Sequence, residues 1–238
     1  MHVHLPKPMH GWREFVGEVG IIVLGVLIAL GAEQVVEIVH DQHVAAQARE
    51  NVRAEARFNL SSIQERLAIQ PCIERRLGDL SRILSTTGKG VLQPQPSWIA
   101  RPPTGPFFRG RWNAATASGR NSLFPSEEQE RFSVLYEIFA RYDEYQGREQ
   151  IVWAKLRALE TWQGPLGTEA QLSFANALQE AKYYAWDLNY AGTFAVRNGR
   201  SMGLLNSPSK SLVAAICVPI TTKRIEALRQ LKTGFGEP

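Results

Sequence analysis

The chain has 238 residues, of which 44% are hydrophobic and 21% are charged, and this balance excludes wholesale disorder. The length allows a folded core without metal or disulfide staples. The net charge is +4, with Lys and Arg interspersed among Asp and Glu, so we expect no nucleic-acid partner. Cys72 and Cys217 leave two alternatives open: buried free thiols, or one long-range disulfide if the compartment is oxidising.

The first predicted element is a membrane helix near the N-terminus. The uncharged run 19–32 is too short to cross a hydrocarbon core of about 30 Å at about 1.5 Å per residue. A helix over 15–37 is long enough, and Glu18 and Glu33 then lie near its ends, where carboxylates reach the headgroups at modest cost. The sequence therefore predicts a tail over 1–14 and a single transmembrane helix over 15–37.

The apolar run is also compatible with a cleaved signal peptide or with the core helix of a soluble protein. Ala29-Leu30-Gly31 has the small residues of a signal-peptide cleavage site. The helical pattern, however, continues without a break to Phe58, which favours an uncut anchor. We predict that residues 38–68 form a stalk helix that continues into the outer domain.

The charges that flank the span predict its orientation. Lys7 and Arg13 precede it, whereas Glu33, Glu37 and Asp41 lie at or beyond its other end. Because basic residues favour the cytoplasmic side, the tail is predicted to be cytoplasmic and the domain to lie outside.

Small side chains on the predicted span form a candidate packing face. At about 100° per residue, Glu18, Gly25, Ala29 and Ala32 share one side of the helix. Gly25 and Ala29 form a small-x-x-x-small pair, which allows helices to approach closely in lipid. We expect this face to contact a second copy of the chain or another membrane protein.

Residues 69–238 are predicted to form a helical outer domain, which makes the fold all-α. Pro71 suits the first turn of a helix, and a long Pro/Gly-rich surface loop is expected near 87–108. A short helix then ends at Ser118-Gly119. Ser126 with Gln129, and Thr168 with Gln171, form capping-box patterns at the starts of two long helices. A last helix is predicted near 222–232, after an apolar run over 212–220 that could be extended.

Aromatic residues recur at helical spacing in both long helices. One stripe begins at Phe132 and the other includes Tyr183, Trp186, Tyr190 and Phe194. Such stripes could line a ligand pocket, but helical spacing makes core packing the expected role.

The outer domain lacks the residues of the common catalytic motifs. All five histidines lie at or before His43, which removes Ser-His-Asp and Cys-His catalysis and histidine-based metal sites from the domain. No phosphate-binding or dinucleotide-binding glycine motif is present. We therefore predict no enzyme activity, no cofactor and no metal, and we assign no catalytic residue. Two alternatives remain: an outer domain that binds a small molecule or lipid, and an enzyme that uses carboxylates alone.

Two segments resemble a bacterial family of small single-pass membrane proteins of unknown function. The first is Gly17-Glu18-Val19 followed by the apolar run 23–30, and the second is Trp112-x-x-Ala115-x-x-Ser118-Gly119, followed by a long helix that contains Leu135-Tyr136. The resemblance implies an uncut helix in the bacterial inner membrane and a helical periplasmic domain. The expected function is a structural or protein-interaction role in the cell envelope, with membrane lipid and a second copy or a membrane protein as partners.

Overall fold

The computed structural model describes residues 11–88, 90–205 and 215–234, and within these ranges the fold is all-α, as the sequence predicts. Most of the predicted tail lies outside the described residues. The α-helices are α1 (Trp12–Ala68), α2 (Gln70–Thr87), α3 (Gly110–Ala117), α4 (Ser126–Arg157), α5 (Thr168–Ser201) and α6 (Arg224–Gly234). Short 3₁₀ helices follow α3, follow α4 and precede α6, at Arg120–Leu123, Ala158–Glu160 and Ala215–Cys217.

Helix α1 is one uninterrupted helix of 57 residues, about 85 Å long, that runs from the predicted span into the domain. Its apolar part is long enough to cross a membrane, and none of that part is buried against the rest of the chain. A core helix within its own chain would be buried, so that alternative is contradicted. A signal sequence meets the same criterion of length and composition.

The described part of the domain contains two hydrophobic cores, one packed along α1 and one beyond the C-terminal end of that helix. Helix α4 runs parallel to α1, since Tyr136 hydrogen-bonds to Val52 and Glu149 lies beside Arg66. Helix α5 is antiparallel to both. The proximal core, which is nearer the predicted span, includes Val52, Leu60, Ile63, Trp112, Phe132, Phe139 and Leu188. The distal core includes Ile73, Leu80, Trp153, Leu156, Leu178 and Ile216.

Glycines let α5 approach α1 closely. A Cβ atom on Gly192 would lie 3.0 Å from Ile63 Cγ2, and one on Gly199 would lie 2.4 Å from Leu60 Cδ1. Leu60 is completely buried and has little room to move. A side chain at position 199 would therefore force Leu60 to move, whereas one at position 192 would need a shift of only a few tenths of an ångström.

We expect Gly199→Val to lower the free energy of unfolding by about 1–3 kcal/mol, because it overpacks the α1–α5 contact. Gly147→Ala on α4 is the matched control, since a Cβ at that exposed site meets nothing within 4 Å. That change should stabilise by up to about 1 kcal/mol through helix propensity. Thermal denaturation of the purified full chain checks both, and equal stability of the two variants would contradict close packing at Gly199.

The segment predicted as a surface loop near 87–108 is partly buried, which corrects that expectation. Leu92, Trp98, Ile99 and Ala100 contribute to the distal core. The side chain of Asn59 on α1 holds the later part of the segment, because it donates to the carbonyl of Phe108 at 2.7 Å and accepts from its N–H at 2.9 Å. Other side chains therefore satisfy the backbone polar groups that a helix or strand would otherwise pair.

A disulfide joins Cys72 on α2 to Cys217, with their Cα atoms 4.9 Å apart. One turn along α2, buried Arg76 donates hydrogen bonds to the carbonyls of four residues: Trp98, Ile99, Ile216 and Val218. Burial lowers the pKa of Arg76 to about 10, so its guanidinium is still charged at neutral pH. The disulfide and Arg76 together fasten the segment 215–220 to α2 and to the loop at 98–99.

The two predicted capping boxes are wrong. Helix α4 begins at Ser126 with Pro125 at the N-cap, and α5 begins at Thr168 with Gly167 there; neither N-cap makes a side-chain hydrogen bond. The predicted starts are right to within a residue, but both polar residues lie inside the helix. The predicted C-terminal cap of α3 is confirmed, because Gly119 adopts a left-handed conformation with φ 69° just beyond the helix.

Candidate functional site

Helix α5 is apolar on two opposite faces, and only one of them is buried. Small residues and leucines form the face packed against α1, α2 and α4: Ala177, Leu178, Ala181, Ala185, Leu188, Gly192, Ala195 and Gly199. The opposite face carries four aromatic side chains that are largely in solvent. Their exposed fractions are 50% for Tyr183, 61% for Trp186, 65% for Tyr190 and 37% for Phe194. We call these four residues the aromatic ridge.

The ridge spans about 17 Å along α5 at about 1.5 Å per residue. Trp186 and Tyr190 stack with ring centroids 5.9 Å apart and an interplanar angle of 14°. The guanidinium of Arg197 lies 5.2 Å from the centroid of the Phe194 ring. At about 200 Å² per aromatic side chain, the exposed part of the ridge amounts to about 400 Å². That is the size of the largest apolar patch on a typical monomer, and such patches are often functional.

Tyr145 on α4 extends the ridge sideways. Its ring lies 6.5 Å from that of Tyr183, and the guanidinium of Arg141 lies 5.1 Å above its centroid. Arg141 also pairs with the buried carboxylate of Asp187, which fixes α4 against α5 beside the ridge. Hydrogen bonding with Tyr145 raises the pKa of Tyr183, so the phenol is neutral at physiological pH. The surface therefore combines aromatic rings with cationic groups.

The exposure of the ridge corrects the expectation that the α5 stripe packs in the core. The aromatic residues of the α4 stripe are buried as predicted, with Phe132, Phe139 and Tyr142 each at most 1% exposed. Ile151, further along the predicted stripe, is 62% exposed. Helix α5 differs because α1, α2 and α4 cover only one side of it. The sequence does carry a signal for the packed face of α5, namely a row of Ala and Gly residues at helical spacing. Small side chains of this kind allow close contact between helices.

The small-residue face of the span points away from the domain. Glu18, Gly25, Ala29 and Ala32 are exposed on α1, and a Cβ on Gly25 would meet nothing within 4 Å. The domain packs on the opposite side of the same helix, along a row that includes Ala45, Val52, Ala56 and Ile63. At about 100° per residue the two faces lie roughly 170° apart. Two spans could therefore meet on this face without collision of their domains.

One buried carboxylate stands out in the domain. Glu149 is completely buried and accepts a 2.7 Å hydrogen bond from Arg66, between Tyr142 of the proximal core and Trp153 of the distal core. Burial raises the pKa of Glu149, while the charge of Arg66 acts in the opposite direction. A catalytic carboxylate must reach substrate, and Glu149 is shut off from solvent.

A small-molecule or lipid site of the kind considered above would be a cavity lined by several aromatic side chains. Three cavities on the described part of the chain lack such a lining. Their volumes are about 540, 490 and 250 Å³, and none of the three is lined by Tyr, Trp or Glu149. Across the described ranges, no three His, Cys, Asp or Glu side chains gather as a metal site. In these residues the feature that stands out is a surface and not a cavity.

No protein-family model, no curated protein sequence and no solved structure matches the chain. The family resemblance therefore stays a prediction. Within the described ranges, the fold and the site define an all-α protein with one helix that is both long and apolar enough to cross a membrane and with an exposed aromatic surface on its domain.

Proposed function

We propose that this chain is a non-enzymatic protein of the bacterial cell envelope, anchored in the inner membrane by α1, whose periplasmic domain binds another protein through the aromatic ridge. The observation that carries the proposal is the ridge itself, an aromatic face opposite the buried face of α5. A helix that is apolar on both faces is normally covered on both. Large solvated aromatic rings beside arginines also match the composition of binding hot spots.

The height of the ridge above the membrane favours a protein partner over lipid. Gly192, within the ridge segment of α5, lies beside Ile63 of α1. Ile63 is about 40 Å along α1 beyond the predicted end of the span at Glu37. A straight α1 that stands in the bilayer would hold the ridge far beyond the headgroups, which extend only about 5–8 Å from the hydrocarbon.

The proposed orientation places the domain in the periplasm. The flanking charges support it, because Lys7 and Arg13 precede the span and acidic residues follow. The disulfide between Cys72 and Cys217 supports it independently, since such bonds persist in oxidising compartments.

We also propose that the partner set includes a second copy of this chain, packed through Glu18, Gly25, Ala29 and Ala32. The support is geometric: this face is exposed and lies opposite the side of α1 that carries the domain. The ridge and the span would then serve different contacts, one with a partner in the periplasm and one within the membrane.

Photo-crosslinking in intact membranes tests the ridge directly. A benzoylphenylalanine at position 186 should capture a polypeptide that mass spectrometry identifies. The matched control is the same probe at position 151, because Ile151 on α4 is 62% exposed and Trp186 is 61% exposed. Capture from position 186 but not from 151 is the expected result. No capture at 186, or equal capture at both positions, would count against the proposal.

We expect the double change Trp186→Ala with Tyr190→Ala to abolish capture by a probe at position 183 without loss of fold. Truncation of a binding hot spot costs about 2 kcal/mol or more, which is about a thirtyfold loss of affinity. Because both rings are solvated, stability should change by less than about 0.5 kcal/mol per residue. Capture is read from a probe at position 183, with Ile151→Ala as the control variant. Capture that survives the double change would exclude the ridge as the binding surface.

A further inference from the structure

The end of the domain nearest the span is a tight tip formed by residues 118–125. Helix α3 runs back toward the span, Gly119 reverses the chain with φ 69°, and the 3₁₀ helix Arg120–Leu123 leads into α4. Phe124 is buried and anchors the tip, whereas Leu123 is 54% exposed. An apolar side chain is thus exposed at the end of the domain nearest the span.

A groove of about 490 Å³ separates this tip from α1. Residues of α1 line one wall, including Ile38, Asp41 and Ala45, and Leu123, Phe124 and Pro125 line the other. Ile38 is 56% exposed. The groove therefore has one solvated apolar side chain on each wall, and Ile38 lies at the end nearest the predicted span.

Distances along α1 place the groove at the membrane surface. Ile38 directly follows the predicted span, and Ala45 lies about 12 Å beyond the end of that span at about 1.5 Å per residue. The headgroup layer is about 5–8 Å thick on each side of a bilayer. The part of the groove lined by Ile38 and Asp41 therefore lies within the headgroup layer when α1 spans the membrane.

We infer that the tip rests on the bilayer and that phospholipid headgroups occupy the groove between Ile38 and Leu123. The inference rests on the proposed membrane span and is independent of the aromatic ridge. Ile38 lies at the end of the predicted span, where an apolar side chain leaves water, and Leu123 lines the groove on the opposite wall. Of the charged residues that line the groove, Asp41 is acidic and Arg49 pairs with Glu128. Beside the groove, the exposed Arg120 of the same 3₁₀ helix supplies a positive charge for lipid phosphate. The occupant is continuous with the lipid that surrounds α1.

The consequence is a restricted orientation of the domain relative to the membrane. A single helix leaves the domain free to tilt about the membrane surface. A second contact at residues 118–125, on the side of α1 that carries the domain, limits that tilt and holds the ridge well above the bilayer.

Site-directed spin labelling of the full chain in nanodiscs tests this inference. Labels are placed at Leu123→Cys, at Val26→Cys within the span, and at Leu172→Cys at the far end of α5. Leu172 is 63% exposed, which makes it a matched apolar site away from the membrane. Because Cys72 and Cys217 are bonded to each other, the label reacts only with the new cysteine when reductant is absent. The nanodiscs contain phosphatidylethanolamine and phosphatidylglycerol.

The measurement is the ratio of collision rates with oxygen, which partitions into lipid, and with a water-soluble nickel complex. The ratio at Leu123→Cys should lie between the high value at Val26→Cys and the low value at Leu172→Cys. A ratio at Leu123→Cys equal to that at Leu172→Cys, with Val26→Cys in lipid, would overturn the membrane contact and leave the span intact. A label at Val26→Cys that is exposed to water would overturn the span and this inference together.

Discussion

Replacement of both Cys72 and Cys217 by alanine is expected to lower the free energy of unfolding by about 4–5 kcal/mol, the upper estimate of the chain-entropy model for so long a loop. The bond closes a loop of 145 positions, so its loss frees a large part of the unfolded chain. It also removes the covalent fastening of segment 215–220 to α2. At about 2–4 °C per kcal/mol, Tm should fall by about 8–20 °C.

The measurement is thermal denaturation of the purified full chain with and without reductant. The unmodified chain should lose stability in reductant, and the double alanine variant should not respond to it. An unchanged Tm on reduction would show that Arg76 and the surrounding core hold segment 215–220 without the bond.

The same cysteines report the compartment. In intact cells, neither thiol should react with a maleimide until reductant is added, because the bond occupies both sulfurs. Free, reactive thiols in the absence of reductant would contradict both the disulfide in the cell and the periplasmic location of the domain.

The second large effect is expected at the buried ion pair. Glu149→Gln should lower the free energy of unfolding by about 3–5 kcal/mol, because it leaves the charge of Arg66 buried without a counter-ion. Both side chains are at most 4% exposed, so water cannot compensate. Chemical denaturation near neutral pH gives the magnitude.

The double change Arg66→Met with Glu149→Leu separates two contributions to the free energy of unfolding. One is the penalty for burying a single unpaired charge, and the other is the net stabilisation by the ion pair. Two apolar residues of similar volume remove both buried charges, and such replacements are often neutral or stabilising by about 1–4 kcal/mol. If the double variant is as unstable as Glu149→Gln, the attraction between Arg66 and Glu149 stabilises the fold by more than the free energy needed to remove the two charges from water.

The contribution of Glu149 to folding stability depends on pH, and the direction of that dependence follows from its pKa shift. Burial raises its folded pKa above the ordinary value of 4.5, so its contribution favours the folded state below that pH and is lost as pH rises through the folded value. In Arg66→Met the opposing cation is gone and the folded pKa rises further. The loss of unfolding free energy caused by Arg66→Met should therefore become smaller as pH falls, because the unpaired carboxylate of Glu149 takes up a proton. A cost independent of pH would indicate that Glu149 is not the group responsible.

Much of the architecture follows from local pattern. The apolar run with acidic residues near its ends, the proline at the start of α2 and the glycine after α3 are each explained by interactions within a few residues. The aromatic residues of α4 were assigned to the core correctly, because that helix meets neighbours along the face that carries them. The all-α class required no long-range information.

The tertiary structure decided which face of each helix is covered. Tyr183 and Trp186 repeat with the same period as buried residues, and only the positions of α1, α2 and α4 leave them in solvent. The segment near 87–108 contains loop residues, yet Trp98 and Ile99 are buried because Arg76 and Glu160 supply hydrogen bonds to its backbone. The pairing of Cys72 with Cys217 likewise depends on how α2 meets the C-terminal segment. Helical periodicity in the sequence indicates that a helix has an apolar face. The arrangement of the neighbouring helices determines whether that face is buried or exposed to solvent.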